Sequence, residues 1–327
     1  QISAKNIIIA TGAKPKTFES INIDGKYIIG SKQALNLIEV PKKIIIVGSG
    51  AIGCEFAFYF NSFGADVEII EMQKRILPME DSEISAALKD SFVSSGIKVH
   101  NNSKVQSIEK LKTKIKVNVI TESGSSQIDG NVALLAIGVE GNINNIGLQD
   151  IGVQSKNDSI SINNYCQTNI SNIYAIGDVA GPPWLAHKAS AQGHMVADLI
   201  CGKRVHEIDY FNVPNCTYCQ PQVASLGLTE SKAKDLGHNI KVGKFFFRAS
   251  GKAMAVGNTF GFVKLIFDDR YGELIGAHII GDGATEMIAE LNLAKALEST
   301  WEDLAMTMHA HPTLSEAVME AAMDAFG

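Results

Sequence analysis

A short run near the end of the chain, HAHPTLSEA at positions 309–317, contains two histidines and a glutamate around a proline. A carboxylate that holds one ring nitrogen of an imidazole leaves the other nitrogen free to accept or deliver a proton. His311 and Glu316 have a spacing that allows this pairing. The same residues also fit a capping box, in which Thr313 and Glu316 satisfy backbone donors in the first turn of a helix. The spacing alone favours the cap and leaves the proton-transfer pair open.

A second run, KKIIIVGSGAIGCEFAFYF, carries the GxGxxG pattern that binds the pyrophosphate of dinucleotides. It follows an apolar strand and opens a helix, which is the context that makes the pattern specific. Gly48 permits the tight turn, Gly50 lets the pyrophosphate approach the helix N-terminus, and Gly53 allows close packing of helix on strand. Glu71 ends the next strand and is the acidic residue expected about twenty positions later. A carboxylate there accepts ribose hydroxyls and repels a 2′-phosphate, which predicts NAD rather than NADP.

Two further features have alternative interpretations. Glu55 follows Gly53 on the same apolar helix and is either a partly exposed charge or a functional carboxylate facing the cofactor. Cys216 and Cys219 have the CxxC spacing of redox pairs and of zinc half-sites, but no second ligand pair with metal spacing accompanies them. They stand at the start of a strand, where alternate side chains face opposite sides. We therefore expect these two thiols to be small core residues.

The composition narrows the class of protein. The chain has 327 residues, 46% of them apolar and 20% charged, which is enough for two or three domains with a large core. A net charge of −6 gives no basic face for nucleic acid, and no apolar run has membrane-spanning length. Five cysteines indicate a reducing compartment rather than a disulfide framework. We expect a cytoplasmic protein, with the mitochondrial matrix as the alternative.

Strands and helices alternate around the glycine motif. Apolar periodicity predicts strands at 43–47, 66–71 and 97–100, with helices at 51–63 and 82–95 between them. Antiparallel strands follow at 104–109, 113–120 and 127–129, and a last strand at 132–137. This order predicts an α/β fold: a doubly wound Rossmann-type parallel sheet that carries a small meander.

The remaining segments flank that sheet. An apolar strand at 6–10 opens the chain without a nearby partner, and a strand at 173–176 is followed by a helix at 188–201. The last part predicts strands at 222–227, 241–247, 261–267 and 273–280, and helices at 284–298 and 313–326. That order is typical of an α+β domain. We expect the front strand to complete a domain whose earlier part lies outside this sequence.

Taken in order, several stretches resemble the flavin-dependent pyridine nucleotide–disulfide oxidoreductases over nearly the whole chain. They are IIIATGAKP, VGSGAIGCEFA, LLAIGVEGN, IYAIGDVAGPPWLAHKASAQG, NCTYCQPQVASLGLTE and HAHPTLSEA. The last stretch is more similar to the members that oxidise dihydrolipoamide than to glutathione reductase. Met72 and Pro78 stand where NADP-using relatives tend to carry arginine, which again favours NAD.

The resemblance implies a domain order and two cofactors, FAD and NAD. Residues 1–30 would end the first segment of an FAD domain, and 31–140 would form the NAD-binding domain. Residues 141–208 would supply the second FAD-domain segment, and 209–327 a C-terminal α+β dimerisation domain. This last domain implies a homodimer whose active site takes its histidine from the other subunit.

The resemblance also implies roles for single residues. His311 matches the catalytic base and Glu316 the carboxylate that orients it, which favours proton transfer over the cap; His309 is the weaker candidate for the base. Glu55 matches a carboxylate close to the nicotinamide and the flavin, and Gly138 a glycine near the bound nucleotide. The residues that match flavin contacts are Thr11, Gly12, Asp178, Leu185, Ala186 and His187.

The implied reaction is the oxidation of protein-bound dihydrolipoamide, with electrons passing through a disulfide and FAD to NAD. The implied partners are the lipoyl domains and acyltransferase core of 2-oxoacid dehydrogenase complexes, with no nucleic acid, membrane or metal. The sequence contains neither a cysteine pair with four residues between nor a GxGxxG before the one at Gly48. We therefore expect a fragment that is inactive by itself. The alternatives are another FAD-dependent disulfide reductase, an NADH oxidase, or a fragment that only binds NAD and dimerises.

Overall fold

The glycine motif directly follows the central strand of a five-stranded parallel sheet. The structure, a computed structural model, describes residues 2–18 and 21–327. The five strands of the sheet lie side by side in the order Ile28–Ile29, Val132–Leu135, Lys43–Val47, Asp66–Ile70 and Lys98–His100. Ile44, Ile45 and Ile46 are fully buried, as expected for a parallel strand covered on both faces. The predicted α/β architecture is confirmed.

Helices connect the first strands along the chain, and an antiparallel meander precedes the last one, Val132–Leu135. The helices are Ser31–Ala34, Ala51–Ser62 and Ser82–Ser94; the antiparallel strands are Lys104–Lys110, Ile115–Thr121 and Gly124–Gly130. Helix Ser31–Ala34 is a single turn, because the Asn36 side chain donates to the Lys32 carbonyl at 2.7 Å and competes with the next helical turn. The third meander strand begins earlier than predicted, since Thr121 pairs directly with Gly124.

A second sheet carries the C-terminal part of the chain. It is antiparallel and ordered Asn215–Thr217, Gln222–Gly227, Leu274–Gly281, Gly261–Asp268 and Ile240–Phe246. The helices of this part are Glu230–Asp235, Gly251–Val256, Ala284–Ala296, Trp301–Met306 and Glu316–Asp324. The predicted α+β layout is present. The sequence pattern missed the three six-residue helices, because so short a segment shows little periodicity.

Both sheets belong to one compact unit, here called the large unit, which comprises Thr17–Ile137 and Phe211–Gly327. A buried ionic cluster joins its two parts. The Nζ atom of Lys264 lies 3.0 Å from Asp81, 2.7 Å from Glu83 and 2.7 Å from Glu230. Burial disfavours the ammonium, but the three carboxylates outweigh it and hold the pKa of Lys264 above its ordinary range. Asp81 also caps helix Ser82–Ser94 by accepting the Glu83 N–H.

The second compact unit, here called the small unit, combines the chain up to Lys16 with Gly138–Tyr210. Its paired strands are Ile7–Ile9 with Ile173–Ala175, Ala13–Pro15 with Val139–Gly141, and Ser155–Lys156 with Ser159–Ile160. A 3-10 turn at Gly177–Ala180 and the helix Ala186–Ile200 follow. The front strand predicted at 6–10 therefore pairs with a strand far along the chain.

No helix among the described residues is both long and apolar enough to cross a bilayer. Within the same part of the chain, no group of histidine, cysteine, aspartate and glutamate side chains is arranged to hold a metal ion.

Candidate active-site residues

His311 and Glu316 form a hydrogen-bonded pair where the last helix begins. His311 Nδ1 lies 2.8 Å from Glu316 Oε1, and Glu316 Oε2 accepts the Thr313 N–H at 2.8 Å. Because a carboxylate only accepts, the proton of a neutral His311 ring sits on Nδ1 and its Nε2 keeps a lone pair. The His311 side chain is 78% exposed, so Nε2 is accessible to a reactant. The bonds from Thr313 and His311 lower the pKa of Glu316, which keeps its carboxylate ionised.

The capping box proposed for the same run is only half formed. Glu316 accepts the Thr313 N–H, but the Thr313 hydroxyl donates to the Ala310 carbonyl at 2.7 Å instead of capping the helix. The residue at the N-cap position is Ser315, whose side chain makes no capping bond in the described structure. A single carboxylate therefore fixes both the turn before the helix and the imidazole.

His309 is engaged at both ring nitrogens. Nδ1 lies 2.8 Å from the Thr307 carbonyl and Nε2 lies 2.6 Å from Glu290 Oε1. The His309 side chain is only 6% exposed. Neither nitrogen is left to act as a base, which agrees with the expectation that His309 is the weaker candidate for this role. Sequence reasoning missed Glu290, which lies on a helix nineteen residues earlier and belongs to no motif.

The glycines of the GxGxxG run have three different structural reasons to be glycine. Gly48 has a φ of +98°, and a Cβ there would lie 2.5 Å from the Ala136 carbonyl oxygen. A Cβ on Gly53 would lie 2.1 Å from the Gly48 carbonyl oxygen, so the helix packs directly on the turn. A Cβ on Gly50 would meet no described atom within 4 Å. Gly50 also precedes helix Ala51–Ser62 as its N-cap, so an anion can approach the helix N-terminus there. The cradle fits a dinucleotide pyrophosphate.

The Glu71 carboxylate is anchored to this cradle. Its Oε2 accepts both the Ser49 N–H at 2.8 Å and the Ser49 hydroxyl at 2.6 Å. Its Oε1 accepts the Gln73 N–H at 2.7 Å. Glu71 thus stands next to the glycine turn with a fixed orientation, which fits the predicted ribose acceptor.

Glu55 lies on the helix that starts at this cradle and reaches the second sheet. Its Oε1 accepts the Tyr218 N–H at 2.9 Å. Burial raises the pKa of Glu55, against the opposing effect of that bond. A half-buried carboxylate with a raised pKa is a candidate functional group, and the structure gives it a positioning contact.

The thiols near Glu55 do not have the character of reactive cysteines. Burial raises the pKa of Cys219 to about 12 and also raises that of Cys216. The Cys219 thiol donates to the Pro221 carbonyl at 3.2 Å. Because the thiolate is the reactive form, these residues are poor nucleophiles, in line with the expected core role.

In the small unit, Thr11 and Gly12 are held by Asn142. The Thr11 hydroxyl donates to the Asn142 carbonyl at 2.9 Å, and the Asn142 side chain donates to the Thr11 carbonyl at 2.8 Å. Gly12 has a φ of +70°, in the region that favours glycine. Gly138 also has a positive φ, +102°, and lies in this unit directly before strand Val139–Gly141. Asn142 was not singled out from the sequence.

The turn that carries Asp178 is hydrogen-bonded to side chains of helix Ala186–Ile200. The buried Lys188 ammonium donates to the Gly177 carbonyl at 3.0 Å and to the Gly181 carbonyl at 2.9 Å. Gln192 accepts the Gly177 N–H at 2.7 Å and donates to the Tyr210 hydroxyl at 2.9 Å. Sequence reasoning missed both side chains.

Leu185, Ala186 and His187 form the start of the same helix. Leu185 is the N-cap residue, and the described structure shows no side-chain capping bond at this end. Helix N-termini favour negative charge and hydrogen-bond acceptors. Together with the fixed Asp178 turn, this end fits part of a flavin site.

Comparison with known proteins extends these observations over the whole chain. The family described as pyridine nucleotide-disulphide oxidoreductase matches residues 1–193, and its dimerisation domain matches residues 213–322. A dihydrolipoyl dehydrogenase of Rhizobium etli is 47% identical over 327 residues, which are 99% of this chain and 68% of that protein. One of Bacillus subtilis is 42% identical over 99% of this chain and 69% of its own length.

Solved structures also superpose on nearly the whole chain. LpdA from Mycobacterium tuberculosis superposes with a TM-score of 0.91 at 28% identity, over 98% of this chain and 69% of that one. The HOCl-induced flavoprotein disulfide reductase RclA from Escherichia coli has a TM-score of 0.90 at 25% identity, over 98% of this chain and 74% of its own. The chain therefore belongs to the pyridine nucleotide-disulphide oxidoreductases, an FAD- and NAD-using enzyme family, and carries its dimerisation domain.

Proposed function

We propose that this chain is part of a dihydrolipoyl dehydrogenase, in which dihydrolipoamide is oxidised and NAD reduced through a disulfide whose cysteine pair these 327 residues do not contain. The observation that carries this proposal is the His311–Glu316 pair, with its Nδ1–carboxylate distance of 2.8 Å and its accessible Nε2. The relatives that match nearly the whole chain and bear this name support it.

His311 would handle the proton of the substrate thiol. Its Nε2 accepts the proton, and the Glu316 carboxylate stabilises the imidazolium that forms. Since Glu316 is itself fixed by the Thr313 N–H, the imidazole keeps one orientation through both protonation states. His309, bonded to Glu290 and Thr307, restrains the chain two residues before the base.

The two cofactors would be held by separate groups of residues. Gly48, Gly50 and Gly53 would receive the NAD pyrophosphate, and Glu71 its ribose. Thr11, Gly12, Asp178 and the helix start at Leu185, Ala186 and His187 would contact FAD. Gly138 would lie near the bound NAD. When bound, FAD and NAD supply the two-electron and hydride chemistry that amino-acid side chains lack.

We further propose that the homodimer serves a 2-oxoacid dehydrogenase complex in the bacterial cytoplasm, with the mitochondrial matrix as the alternative. The bacterial origin of the similar dihydrolipoyl dehydrogenases supports the cytoplasm. The substrate would then be a lipoyl domain, and the acyltransferase core would be the docking partner.

A steady-state assay tests the proposal. The flavin-containing protein is supplied with dihydrolipoamide and NAD, and NADH formation is followed by absorbance. Lipoamide-dependent NADH formation is the expected result for a protein of its relatives' length that includes the redox-active cysteine pair. The 327 residues alone, which lack that pair, should bind NAD without lipoamide turnover. Reduction of a different disulfide, or NADH oxidation by oxygen without lipoamide turnover, would instead assign the protein to another branch of the family, as the similarity to RclA allows.

A further inference from the structure

Ser49 lies between Gly48 and Gly50, at the first x of the GxGxxG pattern, and is fully buried. Both of its donors point at one atom: the N–H and the hydroxyl lie 2.8 and 2.6 Å from Glu71 Oε2. The only further donor to this carboxylate in the described structure is the Gln73 N–H, at 2.7 Å from Oε1. Glu71 is therefore already well supplied with hydrogen bonds by the protein itself.

Counting acceptor sites shows what this leaves for a ligand. An ionised carboxylate offers about four lone-pair positions, two on each oxygen. Ser49 fills both positions on Oε2 and Gln73 fills one on Oε1. One position remains, whereas the two neighbouring hydroxyls of a ribose need two. A bidentate ribose contact therefore requires one present donor to leave.

The Ser49 hydroxyl is the donor that can leave. Both N–H groups are fixed by the backbone, but a hydroxyl hydrogen rotates about its C–O bond. We propose that Ser49 is an affinity-determining residue for NAD, because its hydroxyl competes with a ribose hydroxyl for Glu71 Oε2. The proposal rests on the role of Glu71 as the ribose acceptor proposed above.

The competition has a definite sign. Removing the hydroxyl frees one acceptor position on Oε2, while the Ser49 N–H still holds the carboxylate in place. Ser49→Ala should therefore bind NAD(H) more tightly than the unchanged protein. A ligand whose ribose carries a 2′-phosphate gains nothing, because the negative charge of Glu71 still repels it. The change should thus sharpen the preference for NADH over NADPH.

The experiment is a fluorescence titration of the flavin-containing protein with NADH and with NADPH. For Ser49→Ala we expect a Kd for NADH lower by about three- to tenfold, the effect of one hydrogen bond, and a Kd for NADPH that does not fall. Ser85→Ala is the matched control. Ser85 is also buried, and its hydroxyl donates to the Leu77 carbonyl at 3.1 Å rather than to Glu71, so its Kd for NADH should not change.

Glu71→Ala separates this inference from the proposed role of Glu71. Weaker NADH binding in Glu71→Ala, with no additional effect of Ser49→Ala in that background, supports both. Unchanged NADH binding in Glu71→Ala refutes the ribose role itself. If Glu71→Ala weakens binding but Ser49→Ala leaves it unchanged or weakens it, the ribose role stands and the competition is refuted. Should Ser49→Ala fail to fold, Ser49→Cys, whose thiol is a weak donor, makes the same comparison.

Discussion

Gly53 and Gly48 approach each other so closely that a Cβ on Gly53 would lie 2.1 Å from the Gly48 carbonyl oxygen. This contact brings the first turn of helix Ala51–Ser62 directly onto the dinucleotide turn. Gly53 therefore serves helix packing, whereas Gly50, where a Cβ would meet no described atom within 4 Å, serves ligand approach. Substitutions at these two positions can separate the two roles.

Gly53→Ala should destabilise the fold. The neighbouring backbone must shift to remove the overlap, at a cost of about 1–3 kcal/mol, which exceeds the gain of up to about 1 kcal/mol from the better helix propensity of alanine. Thermal unfolding followed by circular dichroism should show a Tm lower by several degrees. Gly50→Ala is the comparison: its Cβ meets no described atom within 4 Å, so Tm should hold while the KM for NAD rises. Equal Tm values for the two variants would contradict this division.

His311→Gln should lower kcat for dihydrolipoamide oxidation by about 10²- to 10⁴-fold, the usual contribution of a positioned general base. Glu316→Gln should have a smaller effect, because the base remains and only its orientation and charge support are lost. Steady-state kinetics checks both variants. His206→Gln, at an exposed position of the small unit, serves as the control and should keep the original kcat. A His311→Gln enzyme of full activity would exclude His311 as the base.

Lys188→Met should release flavin. The ammonium bonds to the carbonyls of Gly177 and Gly181, and its loss leaves two buried acceptors unpaired at about 1–3 kcal/mol each. The turn that carries Asp178 then loses its support. Flavin absorbance per protein after gel filtration measures the effect, and we expect at least a tenfold weaker retention. Lys203→Met is the control, since Lys203 is exposed and pairs with Asp198 on the surface. Retention equal to that of the control would show that the turn stands without Lys188.

Glu68 should make the free energy of unfolding depend on pH in the acidic range. Burial raises its pKa, but bonds from Lys43, His100 and Lys98 outweigh burial and lower it from 4.5 to about 2. A lowered carboxylate pKa means that the stabilisation is present above the ordinary value and is lost as the pH falls through the folded value. Urea unfolding near neutral pH and at about pH 3 should therefore show a smaller loss of stability in Glu68→Gln than in the unchanged protein. Glu122→Gln, at an exposed turn, should leave the loss as it was; a steeper loss in Glu68→Gln would reverse the sign of this argument.

Local patterns predicted the elements around the nucleotide cradle well. The strand expected at 43–47 is observed as Lys43–Val47, and the helix expected at 51–63 as Ala51–Ser62. The His311–Glu316 pair also lies in one run of residues, but its spacing alone favoured a helix cap, and the family resemblance was needed to favour proton transfer. In each case the residues that determine the geometry are neighbours in sequence.

The unpredicted contacts join residues that are distant along the chain or that involve the backbone. Glu290 reaches His309 from another helix, and the partners of Lys188 are carbonyl groups, which any residue provides. The competition proposed at Glu71 depends on the direction of the Ser49 hydroxyl, which donates to Glu71 Oε2. The presence of a serine between two glycines does not predict that direction. Such contacts require the folded chain.

The Lys264 cluster has a consequence for how the large unit melts. Asp81 and Glu83 come from the part with the parallel sheet, whereas Lys264 and Glu230 come from the part with the antiparallel sheet. Separation of the two parts would remove Asp81 and Glu83, two of the three counter-ions of the fully buried Lys264 ammonium. Leaving a buried charge without its counter-ions is strongly destabilising. Partial opening is therefore the costly path. The nucleotide cradle and the His311–Glu316 pair should lose their structure in one cooperative step, as a single calorimetric endotherm.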